Sequence, residues 1–322
     1  MKRREFITLL GGAAAAWPLA ARAQQSAMPV IGFLFSSAPT RYLTAFRQGL
    51  REAGYVEGQN VVIEYRWAQD QHDRLPDLAA DLVRRQVTVI AADTPSSIVA
   101  KAATSTIPIV YTGAGDPVKL GLVASLNRPG GNVTGVTFVS AELGAKQLGL
   151  LHELQPAAVR VGLLVDPNFA ITQSFVSDVQ AAALSIGKQI EVLEASTGRD
   201  IGMAFVRLAQ KPIDALLIGP GPFLNNRRVQ LVTLATSHRV LAIYSWRDAP
   251  EIGGLMSYGT SLSDAYRQAG VYTGRILKGE KPADLPVMQS IKFEFVINLN
   301  TAGAFGLSFP PGLLAIADEV IE

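Results

Sequence analysis

The chain contains no cysteine, which excludes disulfides, thiolate metal sites and cysteine nucleophiles. Histidine is scarce: His72, His152 and His238 stand alone on polar or helical-surface stretches, without a second histidine at ligand spacing, so a histidine metal site or triad has nothing to build on. Charge is sparse as well, 17% of residues, and no cluster of five or more Lys/Arg occurs. With 29 Lys+Arg against 27 Asp+Glu the net charge is only +2, which argues against a nucleic-acid surface. No Gly-x-Ser-x-Gly elbow, Walker loop or His-Glu-x-x-His is present. Gly113-Ala114-Gly115 opens like a dinucleotide fingerprint, but Val118 stands where the third glycine belongs and Pro117 interrupts the turn. No carboxylates are paired by spacing for acid/base work. What is present is bulk: 322 residues, 48% hydrophobic, enough for two cores of roughly 150 residues each.

The first residues read as an export signal. Lys2, Arg3 and Arg4 form a basic start, residues 6–16 are apolar or small, and Ala21-Arg22-Ala23 is a small-x-small cleavage site that would leave Gln24 as the new N-terminus. The apolar run is shorter than the roughly 18 to 20 residues that span a bilayer, and nothing later reaches that length without a charge or breaker. Arg3-Arg4 followed by Glu5-Phe6-Ile7 resembles the twin-arginine signal of folded-protein export, with Lys2 and Thr8 departing from its pattern; general secretory export is the alternative. No cysteine follows the run, which excludes a lipoprotein anchor. Residues 1–23 hold four of the cations and one of the anions, so the expected mature chain, a periplasmic protein, is close to neutral.

Beyond the signal, strand and helix alternate. Residues 30–35 form a short apolar run, and Tyr42, Leu43, Phe46 and Leu50 recur at helical spacing after a Ser-Ser-Ala-Pro-Thr break. The pattern returns with strands at 61–65, 87–91 and 109–111, separated by helices. A second series runs through helix 143–154, strand 161–165, helix 175–186, strand 190–193, helix 201–209, strand 215–218, helix 229–237 and strand 241–244. Nearly continuous apolar strands, each followed by an amphipathic helix, predict an α/β protein of two open, doubly wound parallel sheets. Breaks at 127–132, at Gly253-Gly254 and at 281–286 suggest three crossings between lobes built from discontinuous segments: 24–137 plus 258–289, and 138–257 plus 290–322. The alternative is two beads on one linker.

In such sheets a ligand lies beyond the carboxyl ends of the strands, where helix N-termini offer free N–H groups. In the first half these loops carry Ser36 and Ser37, then Thr94-Pro95-Ser96-Ser97, then Thr112, Gly113 and Asp116. Hydroxyls and backbone donors there could hold a carboxylate and Asp116 could accept from an ammonium, or the same residues could simply cap helices. In the second half Asp166 and Asn168, Pro220, and Tyr244 occupy matching positions, with Phe169, Phe223 and Trp246 as a stacking wall or core lids. Tyr258 reads as hinge packing or cleft lining.

Two long stretches carry a family resemblance: Gly54-Tyr55-Val56-Glu57-Gly58-Gln59-Asn60 continuing through Ile63-Glu64-Tyr65-Arg66-Trp67-Ala68, and Gly274-Arg275-Ile276-Leu277-Lys278-Gly279-Glu280-Lys281-Pro282 with Lys292-Phe293-Glu294-Phe295-Val296-Ile297-Asn298. With them, the chain resembles periplasmic ABC-transporter substrate-binding proteins of the tryptophan/tyrosine-binding TrpX type. The resemblance implies a type I periplasmic-binding fold of two Rossmann-like lobes, three hinge strands and closure on a small ligand, an aromatic or other hydrophobic amino acid. It implies no enzyme activity and no cofactor, and as partners a permease and its ATPase, with a monomeric chain. It places Ser36, Ser37, Thr94 to Ser97, Thr112 and Gly113 on the amino acid's carboxylate and amine, and Asp166, Asn168, Pro220 and Tyr244 opposite. Alternatives on the same fold are a ligand sensor for a membrane receptor and an enzyme. A transcriptional regulator would need a helix-turn-helix at one end, and the N-terminus is taken by the signal.

Overall fold

The computed structural model describes residues 28–36, 42–69, 71–138, 143–169, 171–211 and 213–322. The export signal and Ser37 lie outside them.

Two sheets organise the chain. The first takes β1 (Val30–Phe35), β2 (Val62–Trp67), β3 (Val89–Asp93), β4 (Ile109–Ala114), β5 (Val133–Phe138) and β11 (Met288–Ser290) in the order β11-β5-β4-β3-β1-β2. Every neighbouring pair in it is parallel. The second holds β6 (Arg160–Val165), β7 (Gln189–Glu194), β8 (Ala215–Ile218), β9 (Ala242–Tyr244), β10 (Met256–Thr260), β12 (Phe293–Asn298) and β13 (Glu319–Ile321) in the order β13-β12-β10-β9-β8-β6-β7. It departs from the all-parallel expectation at one place: β12 runs antiparallel to β10, because it enters from the first lobe at the opposite end.

Alternation along β1 shows why the central strands read as unbroken apolar runs. Ile31, Phe33 and Phe35 enter a core with Phe46 and Leu50 of α1 (Tyr42–Glu52) and Ala265 and Ala269 of α10 (Leu262–Leu277). Leu34 points to the other face, against Leu75, Ala79 and Leu82 of α2 (Leu75–Arg84) and Ala100 of α3 (Thr94–Ala103). Both faces are buried, so both positions of the period-two repeat are apolar. The second sheet repeats this. One face packs on α4 (Leu143–Leu154), α5 (Thr172–Ser185) and two short helices, α11 (Leu299–Phe305) and α12 (Pro311–Ala315); the other packs on α6 (Gly198–Gln210), α8 (Arg228–Ser237) and α9 (Asp248–Glu251). A short α7 (Pro222–Asn226) follows β8.

The chain passes between the sheets after β5, after β10 and after β11. The last two passages touch: the Ser261 N–H donates to the Lys292 carbonyl at 2.8 Å. These positions correct the expected breaks. The turn at 127–132 stays within the first sheet, its Asn132 side chain donating to the carbonyls of Thr104 and Ile107. Residues 281–286 also precede a first-sheet strand, β11, rather than the crossing. Tyr258, placed at the start of the returning segment, pairs with Phe295 inside the second sheet, while Phe138 and Ser290 pair with each other in the first.

α10 is the element that brings distant sequence to the cleft side of the first lobe. It lies backbone to backbone on α1. A Cβ at Gly49 would stand 1.8 Å from the Arg267 carbonyl oxygen, and one at Gly270 would stand 2.1 Å from the Phe46 carbonyl oxygen. No helix among the described residues is long and apolar enough to cross a membrane.

Candidate functional site

β3 ends on Asp93, and α3 begins at once with Thr94 and Pro95. Asp93 is the N-cap: Oδ1 accepts the Ser96 N–H at 3.2 Å. Its other oxygen, Oδ2, accepts both the Ser36 N–H at 3.1 Å and the Ser36 hydroxyl at 2.5 Å. One carboxylate thus ties the loop after β1 to the loop after β3. Burial pushes the Asp93 pKa up while the Ser36 and Ser96 donors pull it down, and no lysine or arginine pairs with it among the described residues. Ser97 donates its hydroxyl back to the carbonyls of Ala92 and Asp93. The fully buried Ser96 hydroxyl has no partner among the described residues.

The loop after β4 fits closely against α3. Thr94 donates its hydroxyl to the Ala114 carbonyl at 3.3 Å, and a Cβ on Gly113 would lie 1.9 Å from Thr94 Oγ1. Thr112 is buried beside Asp93 in the paired strand. Asp116 is exposed, and its Oδ1 accepts the N–H groups of Val118 and Lys119, capping the next turn.

An aromatic group stands over these loops. Tyr266 of α10 stacks on Tyr42 of α1 at 5.2 Å and packs against Phe35 at 5.7 Å. Trp67 lies 6.0 Å from Phe35 on the other side. The Tyr266 phenol is held well above its ordinary pKa by burial, then by the Asp93 carboxylate and Tyr42. Tyr266 and Asp93 both keep partial solvent access despite their depth, as residues lining a cleft do.

From α1, Tyr42 reaches the second lobe: its hydroxyl donates to Asp248 Oδ2 at the start of α9, at 2.7 Å. Asp248 follows Arg247, whose guanidinium bonds Glu251, Glu294 of β12 and Glu319 of β13. That clamp fixes the loop after β9 and raises the arginine's pKa further. Beneath it, Gln147 of α4 is fully buried, donating to the Tyr258 carbonyl at 2.7 Å and to the Ser245 hydroxyl at 3.2 Å; its Oε1 has no partner among the described residues.

Over residues 29–321 the chain matches the family model described as ABC transporter substrate binding protein. The chain belongs to this family. A tyrosine-binding protein of Clostridioides difficile is 27% identical over 270 residues, 81% of this chain and 75% of that protein. A conserved domain protein of Vibrio cholerae, 26% identical, superposes with a TM-score of 0.80 over 91% of this chain and all of that one. The Streptococcus pneumoniae ABC domain in complex with L-Trp, 24% identical, gives 0.81 over 92% of this chain and all of that one, a likeness of fold. The chain is accordingly a solute-binding component of an ABC transporter, a non-enzymatic binding protein.

In this ABC transporter substrate-binding protein, Ser36, Thr94, Ser96, Ser97, Thr112 and Gly113 gather at one end of the first sheet, with Pro95 in the first turn of α3. The positions on the second lobe are less uniform. Asp166 is buried and its Oδ1 accepts the Asn168 N–H, so it shapes its own loop, while Asn168 is exposed. Pro220 is buried. Tyr244 packs in the core face with Leu231 and Ala249, and burial raises its pKa strongly. Tyr258 stacks on Phe293 at 6.1 Å and packs with the α4 core. His152 departs from the surface reading: it is half-buried and its Nδ1 is buried without a partner among the described residues. No group of three or more His, Asp or Glu is arranged for a metal among the described residues.

Asp93, Tyr42, Tyr266 and Gln147 were not reached by sequence reasoning. Asp93 had a usable signal, an acidic residue directly before a Thr-Pro helix start. The two tyrosines meet only because α10 returns to the first lobe.

Proposed function

We propose that the protein is the extracytoplasmic binding component of an importer that closes on a small amino-acid-like ligand, an aromatic or other hydrophobic amino acid, and hands it to a membrane permease and ATPase. The observation that carries the reading is that the strand-end loops of the two lobes meet, joined by the Tyr42–Asp248 hydrogen bond and walled by Phe35, Trp67, Tyr42 and Tyr266. Aromatic walls suit an aromatic side chain, and relatives named for tyrosine and complexed with L-Trp support that class. Ligand affinity for the closed arrangement over the open one would drive the hinge.

Titration calorimetry of the chain lacking residues 1–23 against L-tyrosine, L-tryptophan, L-phenylalanine and the aliphatic amino acids tests this. One-to-one binding to at least one of them is expected; silence across amino acids, small carboxylates, sugars and nucleosides overturns it. Export through the twin-arginine route belongs to the same reading. Replacing Arg3 and Arg4 by lysine is expected to leave the precursor uncleaved in pulse-chase fractionation, and normal processing would assign the signal to the general secretory route.

A further inference from the structure

We infer that the strand-end loops of the first lobe receive the cationic end of the ligand, so that this protein selects for a protonated amine there. The inference rests on the proposed function for the site's location and goes further in naming what enters it.

A carboxylate ligand at this end of the sheet would be held by the Ser36 N–H, the Ser36 hydroxyl and the free N–H groups opening α3. Three of those donors are committed: the Ser36 pair goes to Asp93 Oδ2, and the Ser96 N–H goes to Asp93 Oδ1. The chain's own carboxylate sits where an anionic ligand group would otherwise be bound, and a second carboxylate beside it would meet like charge, with the buried Ser96 hydroxyl as the unpartnered donor there among the described residues. The three bonds leave Asp93 acceptor capacity on Oδ1, since a carboxylate offers about four lone-pair directions. No lysine or arginine compensates it among the described residues.

The neighbours suit a cation. Tyr266 and Tyr42 present stacked rings packed on Phe35, whose neighbour Ser36 is bonded to Asp93, and an ammonium gains from ring faces in a partly desolvated place. Asp248, bonded to the Tyr42 hydroxyl, adds a further carboxylate from the opposite lobe. Arg247, the adjoining residue in the chain, is held by three glutamates. A partly buried carboxylate with no cation beside it among the described residues is costly unless an opposite charge joins it, and a ligand ammonium supplies that charge on closure. The bland alternative is that Asp93 only caps α3. Capping accounts for the bond to Ser96 but not for the two from Ser36.

Matched ligands on the intact protein distinguish these readings. L-tyrosine, tyramine and 3-(4-hydroxyphenyl)propanoate share a ring and differ in carrying both charged groups, only the amine, or only the carboxylate; tryptophan, tryptamine and indole-3-propanoate form the parallel set. The expected result is that loss of the amine weakens binding at least a hundredfold, loss of the carboxylate weakens it less, and Asp93→Asn reduces the amine preference to under tenfold. Equal binding of the des-amino acids and the amino acids by the unmutated protein overturns the inference while leaving the proposed function intact. Binding of tyramine or tryptamine with silence from every amino acid overturns the proposed function and keeps the inference. Silence from amines and amino acids alike overturns both. An Asp93→Asn protein that loses thermal stability but keeps the amine preference assigns Asp93 to capping alone.

Discussion

Gly113 shows how a single missing side chain builds the site. Its carbonyl accepts the Tyr111 hydroxyl at 2.8 Å, and the Thr94 side chain fills the space a Cβ would need. Gly113→Ala is expected to cost about 1 to 3 kcal/mol through overpacking, and Thr94→Ala in the same chain should return part of it, since the nearest obstructions are Thr94 Oγ1 and Cβ. Chemical denaturation of the four proteins of the cycle checks this; strict additivity would show that the two positions do not meet. Asp214 offers a pH test far from the cleft. Its Oδ2 accepts the N–H groups of Val159 and Arg160 at 2.7 and 2.8 Å, and these bonds hold its pKa below the ordinary value. With the folded pKa depressed, its contribution is fully present above the unfolded value of about 3.9 and is lost as pH falls through the folded one. Asp214→Asn should therefore lower stability at pH 7, by about 1 kcal/mol after allowance for its exposure. The gap to the unmutated protein should narrow below about pH 4; a gap independent of pH would mean the carboxylate charge is irrelevant. At this scale the sequence told which residue types lie at strand ends but not how they are used. Ser36 and Thr94 were legible as candidates, whereas their being committed to Asp93 and to the Ala114 carbonyl depends on loops meeting in space.

At the scale of elements, legibility followed length and burial. The six-residue strands β1 and β6, buried on both faces, announce themselves as unbroken apolar runs. Three-residue edge strands such as β11 and β13 are too short to display any period, and α11 and α12 are short helices whose apolar residues are fixed by packing under the second sheet. The return of 258–289 to the first lobe was read from the breaks, but the close seating of α10 on α1 was hidden, because the glycines that permit it look like helix-weakening residues in isolation. Their meaning is steric. A Cβ at Gly270 would press on the Phe46 carbonyl and the Leu50 nitrogen, backbone atoms that cannot turn away. Gly270→Ala should push α1 and α10 apart and destabilise by about 3 kcal/mol, at the upper end of overpacking costs. Gly149→Ala in α4 is the matched control: nothing lies within 4 Å of its Cβ position, so helix propensity should leave it neutral or stabilised by up to about 1 kcal/mol. Thermal melts of both variants decide the matter, and a neutral Gly270→Ala would remove the close helix contact as the reason for those glycines.

For the whole molecule the question is what opposes opening. The crossings after β10 and β11 lie against each other through Ser261 and Lys292, which makes them a hinge rather than a loose tether. On the cleft side, the Tyr42 hydroxyl donates to Asp248 across the two lobes, while the Tyr42 ring stays stacked on Tyr266. Tyr42→Phe keeps the ring and removes the donor. A hydrogen bond to a charged acceptor contributes about 1.5 to 3 kcal/mol, and solvent access at Asp248 places this one at about 1 kcal/mol. Because apparent affinity scales with the fraction of molecules in the competent arrangement, Tyr42→Phe should weaken ligand binding by several-fold. It should also enlarge the radius of gyration of the ligand-free protein in small-angle scattering, with little change in thermal stability, since the two lobe cores are untouched. If affinity and scattering both match the unmutated protein, the Tyr42–Asp248 bond does not govern closure. If affinity falls while the scattering curve is unchanged, the tyrosine hydroxyl acts on the ligand and not on the hinge.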